Sequence, residues 1–161
     1  MSPEVLRAAS PARRSEPRSE DPYRKLYDAQ LVDRIDLIRD GVEAVDAKAW
    51  LDMPAIATGV VLRALDLPVA TFNRKVKLKE KLSKSEGERV VGFARLVGQL
   101  EAIIEEAGDP EAFDARSWMS RWLTEPLPAL GNARPIDYMD TMEGQHLVSR
   151  TLAQIVSGAY A

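Results

Sequence analysis

The sequence contains no cysteine, so neither a disulfide framework nor thiolate chemistry is open to it. Its one histidine, His146, cannot build a histidine-based metal site or a Cys–His pair. The glycines are scattered singly, and no glycine-rich phosphate loop occurs. No apolar run approaches the roughly 18–20 residues that span a membrane. The first residues are basic but lack an apolar stretch, so they do not read as a secretory leader. Charge of one sign is also scarce: the net charge is −3, and no global field steers the molecule toward nucleic acid. Adjacent acids such as Glu105 and Glu106 fall in a solvated acidic stretch, whereas catalytic acids need a cleft that shifts their pKa. These absences leave an enzyme as the least favoured reading. A soluble, cytoplasmic binding protein is expected, with no cofactor and no membrane partner.

What is present is helical. At 45% hydrophobic over 161 residues the chain can bury one core, or two small helical units that share one. An all-α fold is expected, with no convincing strand and no internal repeat. Residues 1–25 are read as a flexible tail, because Met1 to Asp21 are rich in Pro, Ser, Arg and Glu and bury little. The alternative for this tail is a basic arm that touches DNA through Arg13, Arg14 and Arg18, diluted by Glu16, Glu20 and Asp21.

Leu31, Val32, Ile35 and Ile38 form one helical stripe that ends before Gly41, a suitable C-cap. A short helix over Val45 to Leu51 follows. Pro54 suits the first turn of the next helix, which is expected to reach Leu65 with Ile56, Val60, Val61 and Leu65 inward. Asp66-Leu67-Pro68 is a tight break, and a second short helix runs from Val69 to about Lys77. Two short helices around a three-residue turn are the outline of a helix-turn-helix. Arg74, Lys75, Lys77, Lys79, Lys81 and Lys84 make the one basic concentration in an otherwise acidic chain, as phosphate contacts require. The alternative is a solvated, lysine-rich helix end favoured by the helix dipole.

Ser83 and Glu86 form a capping box that opens the longest helix, predicted to reach Ala107 before Gly108 stops it. Asp109-Pro110 is read as the start of the next helix, on which Trp118 and Trp122, four apart, share a face. Glu125 to Pro135 reads as a non-helical elbow. A final helix is expected from Thr141 to a stop at Gly158, leaving Ala159, Tyr160 and Ala161 as a short tail.

The C-terminal third carries a more specific pattern. Trp122-Leu123, Pro126, Ala129-Leu130-Gly131 and Arg134-Pro135-Ile136-Asp137 match the run "WL…P…ALGG.RPLDLL". Thr141, Gly144, Val148, Leu152, Ile155 and Gly158 match the helix pattern that follows it. Upstream, Leu82-Ser83, Glu86 and Arg89 fit "LS..ES.R", and Thr71 to Lys75 fits "T..R". On these residues the chain, from about Leu31 to Ala161, resembles the Xre/MbcA/ParS antitoxins, whose partners are RES-domain toxins. Two positions depart from the pattern: Asn132 replaces the second glycine, and Phe72 stands where an aliphatic residue is common. Asn still tolerates a left-handed turn.

The resemblance implies a helix-turn-helix half over residues 26–108 and a helical toxin-binding half over 109–161. It implies homodimerisation and repression of the chain's own operon, with Thr71, Asn73, Arg74, Lys75 and Lys77 as the residues that meet operator DNA. It also implies that the C-terminal half covers the NAD-binding cleft of a RES-domain toxin, whether that toxin breaks NAD down or transfers its ADP-ribose. Arg134, Asp137, Gly158, Ala159, Tyr160 and Ala161 are the expected toxin contacts. Arg134 has a structural alternative, pairing with Asp137 to hold the elbow. A stand-alone helix-turn-helix regulator is the competing reading of the whole chain.

Overall fold

The structure is a computed structural model that describes residues 21–108 and 112–159, with only the backbone of Ala159. Asp109-Pro110, Tyr160, Ala161 and the first twenty residues lie outside the described residues. Among the described residues the fold is all-α, with no strand. Its helices are α1 (Pro22–Asp28), α2 (Leu31–Asp40), α3 (Ala44–Trp50), α4 (Thr58–Ala64), α5 (Val69–Lys77), α6 (Lys84–Glu106), α7 (Ala115–Thr124) and α8 (Met142–Ala159).

α6 is the axis. Its N-terminus closes as the sequence dictates: Glu86 N donates to Ser83 Oγ at 3.2 Å, and Ser83 N donates to Glu86 Oε1 at 2.8 Å. Val90, Val91, Phe93, Ala94, Leu96, Val97 and Leu100 are buried, so the helix is apolar over a wide arc rather than one narrow stripe, and Arg95 and Gln99 occupy the remaining face. α1, α2, α3, α7 and α8 all pack on it. One buried cluster consequently runs from Tyr23 to Val156.

Helical glycines set how closely the other elements approach. A Cβ on Gly98 would come within 3.0 Å of the Tyr23 carbonyl, and one on Gly92 within 3.0 Å of Gln145 Oε1. Only residues without a side chain let α1 and Gln145 lie so near α6.

The chain departs from the sequence reading in several places. Asp21 to Lys25, read as the end of the tail, instead cap and open α1. The Asp21 carboxylate accepts from Tyr23 N at 2.9 Å, Pro22 sits in the first turn, and Tyr23 and Leu26 are buried. Pro54 does not start a helix. It occupies a turn closed by Ile56 N donating to Met53 O, where its fixed φ and missing N–H suit the second turn position. α4 therefore begins at Thr58, and Val60, expected inward, is exposed. The Leu31–Val32 end of the first stripe is exposed too, because α2 meets the core only through half-buried residues such as Leu37 and Ile38.

α7 begins at Ala115, where Asp114 caps it by accepting from Ser117 N at 3.1 Å. Trp118 and Trp122 stack on that helix, with centroids 5.8 Å apart. The elbow is not irregular throughout: it holds 3-10 turns at Pro128–Leu130 and Pro135–Tyr138. Gly158 does not stop α8, which continues to Ala159. Glycine in a helix costs about 1 kcal/mol relative to alanine, which is too little to end a helix by itself.

Candidate functional site

Two surfaces hold the residues singled out in the sequence. The first is α5 and its surroundings. Phe72, 1% exposed, anchors α5 in the core, and this fixes which side faces outward. Ala70, Asn73, Arg74 and Lys77 are exposed at helical spacing i, i+3, i+4 and i+7, while Thr71 is half-buried on the flank. Arg74 and Lys77 make no hydrogen bond or ion pair among the described residues. Lys79 and Lys84 extend the exposed charge beyond the helix, and Lys81 donates to Asp40 O at 3.3 Å.

Lys75 stands apart from this stripe. Its Nζ lies 2.7 Å from Glu86 Oε1, with both side chains largely covered. The oxygen that accepts from the Ser83 amide thus also takes the Lys75 ammonium, joining α5 to the start of α6. Burial alone raises the Glu86 pKa, but the Lys75 bond and the Ser83 bonds outweigh it and hold the carboxyl below its ordinary value. Glu86→Gln should therefore lower the unfolding free energy at neutral pH by about 1–3 kcal/mol. The sign of its pH dependence follows from the lowered pKa. The carboxylate's contribution is full above the unfolded value of about 4.3 and is lost as pH falls through the lower folded value. Urea unfolding of wild type and variant should converge in acid. A gap that stays constant with pH would show that Lys75 draws nothing from the Glu86 charge.

Arg89, present in the sequence pattern without an assigned role, has a defined task. Its Nε donates to Leu65 O at 2.6 Å and its Nη2 to Asp66 O at 3.3 Å, meeting carbonyls that the end of α4 leaves free. Asp66 itself has φ 55°, so the α4–α5 turn is sharp and is held from α6. Helical periodicity could not signal this role, because the partners are backbone atoms more than twenty positions away.

The second surface is the elbow. Gly131 and Asn132 have φ of 62° and 66°, the left-handed turn that Asn was expected to tolerate. Arg134 Nη2 lies 3.0 Å from Asp137 Oδ1, and the Asp137 carboxylate also accepts from the Arg134 backbone amide. Pro135 locks the turn between them. The two charged side chains remain about half exposed, open to a further partner. They border a shallow groove of about 360 Å³ whose opposite wall includes Val60 and Arg63 of α4.

Those expected toxin contacts that fall among the described residues do not form one patch. Arg134 and Asp137 precede α8, while Gly158 lies in its last turn. Eighteen helical residues, roughly 27 Å, separate the two ends. Among the described residues no helix is long and apolar enough to cross a membrane.

Comparison with known proteins agrees with the pattern in the C-terminal third. The family described as "Antitoxin Xre/MbcA/ParS C-terminal toxin-binding domain" matches residues 99–158, beginning inside α6. The Prs ADP-ribosylating antitoxin of Sphingobium sp. (strain YBL2) is 51% identical over 139 residues, covering 86% of this chain and 87% of that protein. The chain belongs to the Xre/MbcA/ParS family of antitoxins and carries its toxin-binding domain at residues 99–158.

Proposed function

We propose that this antitoxin neutralises a RES-domain toxin by covering its NAD-binding cleft, and that it represses its own operon as a homodimer through α4 and α5. The observation that carries the first half is the extended similarity to the Sphingobium antitoxin, over nearly the whole of both chains. That relative is named for ADP-ribosylation, and an ADP-ribosyl group is drawn from NAD. The reading therefore favours a toxin that transfers ADP-ribose over one that only degrades NAD. The protein acts in the cytoplasm and needs no cofactor of its own.

The exposed stripe of Asn73, Arg74 and Lys77 favours the second half, since phosphate contacts call for free cations on an outward helix face. Thr71 flanks that stripe. Lys75 supports it by holding α5 in place rather than by touching DNA. Residues 26–108 serve this DNA-binding role and 109–161 neutralisation, with α6 common to both.

Co-expression with the cognate toxin tests the reading. A stable complex should co-purify, and titrating the antitoxin should abolish the toxin's NAD-dependent activity at stoichiometric ratio. Turnover of NAD by the antitoxin alone would contradict it. Removing Gly158 to Ala161 should leave the melting temperature near wild type, because Val156 is the last buried side chain among the described residues and Gly158 meets none of their side chains. The same truncation should weaken neutralisation, and Tyr160→Ala should act in that direction by about 1–3 kcal/mol if the ring anchors the interface. Full rescue of cells by the truncated protein at equal expression would move the inhibitory contact to Arg134, Asp137 or the outer face of α8.

A further inference from the structure

We propose that the groove between α1, α6 and the first turns of α8 receives an acidic segment of the bound toxin, with Arg95 taking its carboxylate. This rests on the reading of the chain as a toxin-binding antitoxin and assigns that contact a place and a chemistry.

Arg95 lines a groove of about 410 Å³ together with Tyr27, Leu96, Met139, Met142 and Gln145. Every other partly buried arginine among the described residues has an acceptor. Arg24 meets Asp28 and Glu105, Arg34 meets the carbonyls of Leu26, Tyr27 and Ala29, Arg89 meets those of Leu65 and Asp66, and Arg116 meets that of Asp52. Arg95 has none, and its Nε is shut off from solvent. Burial, and then the neighbouring charge of Arg34, push its pKa below the ordinary arginine value, although a guanidinium remains charged at neutral pH. Among the described residues no carboxylate lines the groove. Only Nε is shut off, so the outer nitrogens of this half-buried guanidinium stay open to the groove, and the partner they can take is an oxyanion.

Gln145 is a fixed part of the wall. It is 6% exposed, and its Nε2 donates to Arg89 O and Met139 O, both at 3.0 Å. These two bonds hold the amide, and its Oε1 is packed against Gly92 of α6, shut off from solvent. The remaining amide on the wall is already satisfied: Gln99 donates to Ser149 O at 3.0 Å and accepts from Ser149 Oγ at 2.7 Å. The groove therefore offers the Arg95 guanidinium above an apolar floor of Leu96, Met139 and Met142. A peptide bearing Asp or Glu supplies a carboxylate for Arg95, and its neighbouring side chains cover the methionines. A bare anion leaves that apolar surface uncovered. Gln99, Met139, Met142, Gln145, His146 and Ser149 all fall within the matched toxin-binding domain.

The test uses full-length Arg95→Met and Arg95→Lys with the purified cognate toxin, and measures both affinity and the melting temperature of the free antitoxin. The Met variant should bind toxin about 30-fold or more weakly, chiefly through faster dissociation. The Lys variant should recover part of that loss. The melting temperature of free Arg95→Met should equal or exceed wild type, because a half-buried charge with no acceptor among the described residues has been removed. Millimolar acetate or inorganic phosphate should not raise the wild-type melting temperature. Toxin affinity within about threefold of wild type in the Met variant would overturn the proposal. So would a lowered melting temperature, which would mean that the charge already has a partner within its own chain. Stabilisation of wild type but not Arg95→Met by phosphate would reassign the groove to a free anion. Failure of wild type itself to bind the toxin would overturn the antitoxin reading first, and this proposal with it.

Discussion

Gly98→Ala should destabilise the protein by about 2 kcal/mol or more, against the direction that helix propensity dictates. In an exposed helix interior, alanine in place of glycine gains about 1 kcal/mol. At Gly98 the new Cβ would come under 3.0 Å of both the Tyr23 carbonyl and Tyr27 Cβ. The neighbours are backbone and a branch point rather than a flexible chain end, so they cannot turn aside. α1 is also held at its other flank, where the Tyr23 hydroxyl donates to Trp50 O at 2.9 Å. It can escape the added methyl only by giving up that bond and the burial of Tyr23 and Leu26. Gly158→Ala is the matched control: beyond its own helix backbone and chain neighbours, no atom of the described residues lies within 4 Å of its Cβ position, and stability should hold or rise by up to about 1 kcal/mol. Urea midpoints of the two variants decide the matter. If Gly98→Ala gained stability as Gly158→Ala does, α1 would not be seated on α6.

Replacing Arg74 and Lys77 together by Ala should cut operator affinity and flatten its salt dependence. Each phosphate contact contributes about 0.9 to the slope of log affinity against log salt, so losing two removes nearly two units. The deficit relative to wild type should shrink about tenfold as salt rises from about 0.05 M to about 0.2 M. Both side chains are exposed and unpaired among the described residues, so the melting temperature should not move. Toxin neutralisation should also be unchanged, because neither residue lines the Arg95 groove or lies in the matched toxin-binding domain. Asn73→Ala should behave differently. If Asn73 reads a base, its loss relaxes sequence preference by about 1–3 kcal/mol and leaves the salt slope intact. An unaltered slope in the double variant would remove α5 from the DNA interface. Lys75→Ala is not equivalent to either, since it breaks the covered pair with Glu86 and lowers stability.

Local chemistry carried much of this molecule. The Ser83–Glu86 capping box, the left-handed Asn132, the Arg134–Asp137 pair beside Pro135 and the stacked Trp118 and Trp122 each depend on residues within four positions of one another. Such devices work in any tertiary setting, so the residues alone display them. The same holds for the all-α class and for the family, which rests on ordered Trp, Gly, Pro and Arg positions.

Other features were decided by contacts that no local pattern encodes. Pro54 is chemically suited both to a first helical turn and to the second position of a tight turn, and packing around Met53 and Ile56 selects the turn. Leu31 and Val32 continue a correct helical stripe, yet they stay in solvent because α2 overhangs α6. Lys75 and Lys77 are the same residue type two positions apart. Helical rotation turns Lys75 toward Glu86, eleven residues on, and leaves Lys77 outside. Arg89 and Arg95 diverge in the same way, one meeting the end of α4 and the other half-buried with no acceptor among the described residues. The sequence by itself determined the helices, their caps and the family, because those depend on near neighbours and residue order. Only the tertiary structure decided which charges are spent within the chain and which remain free for a partner, because pairing depends on distances between residues far apart in sequence.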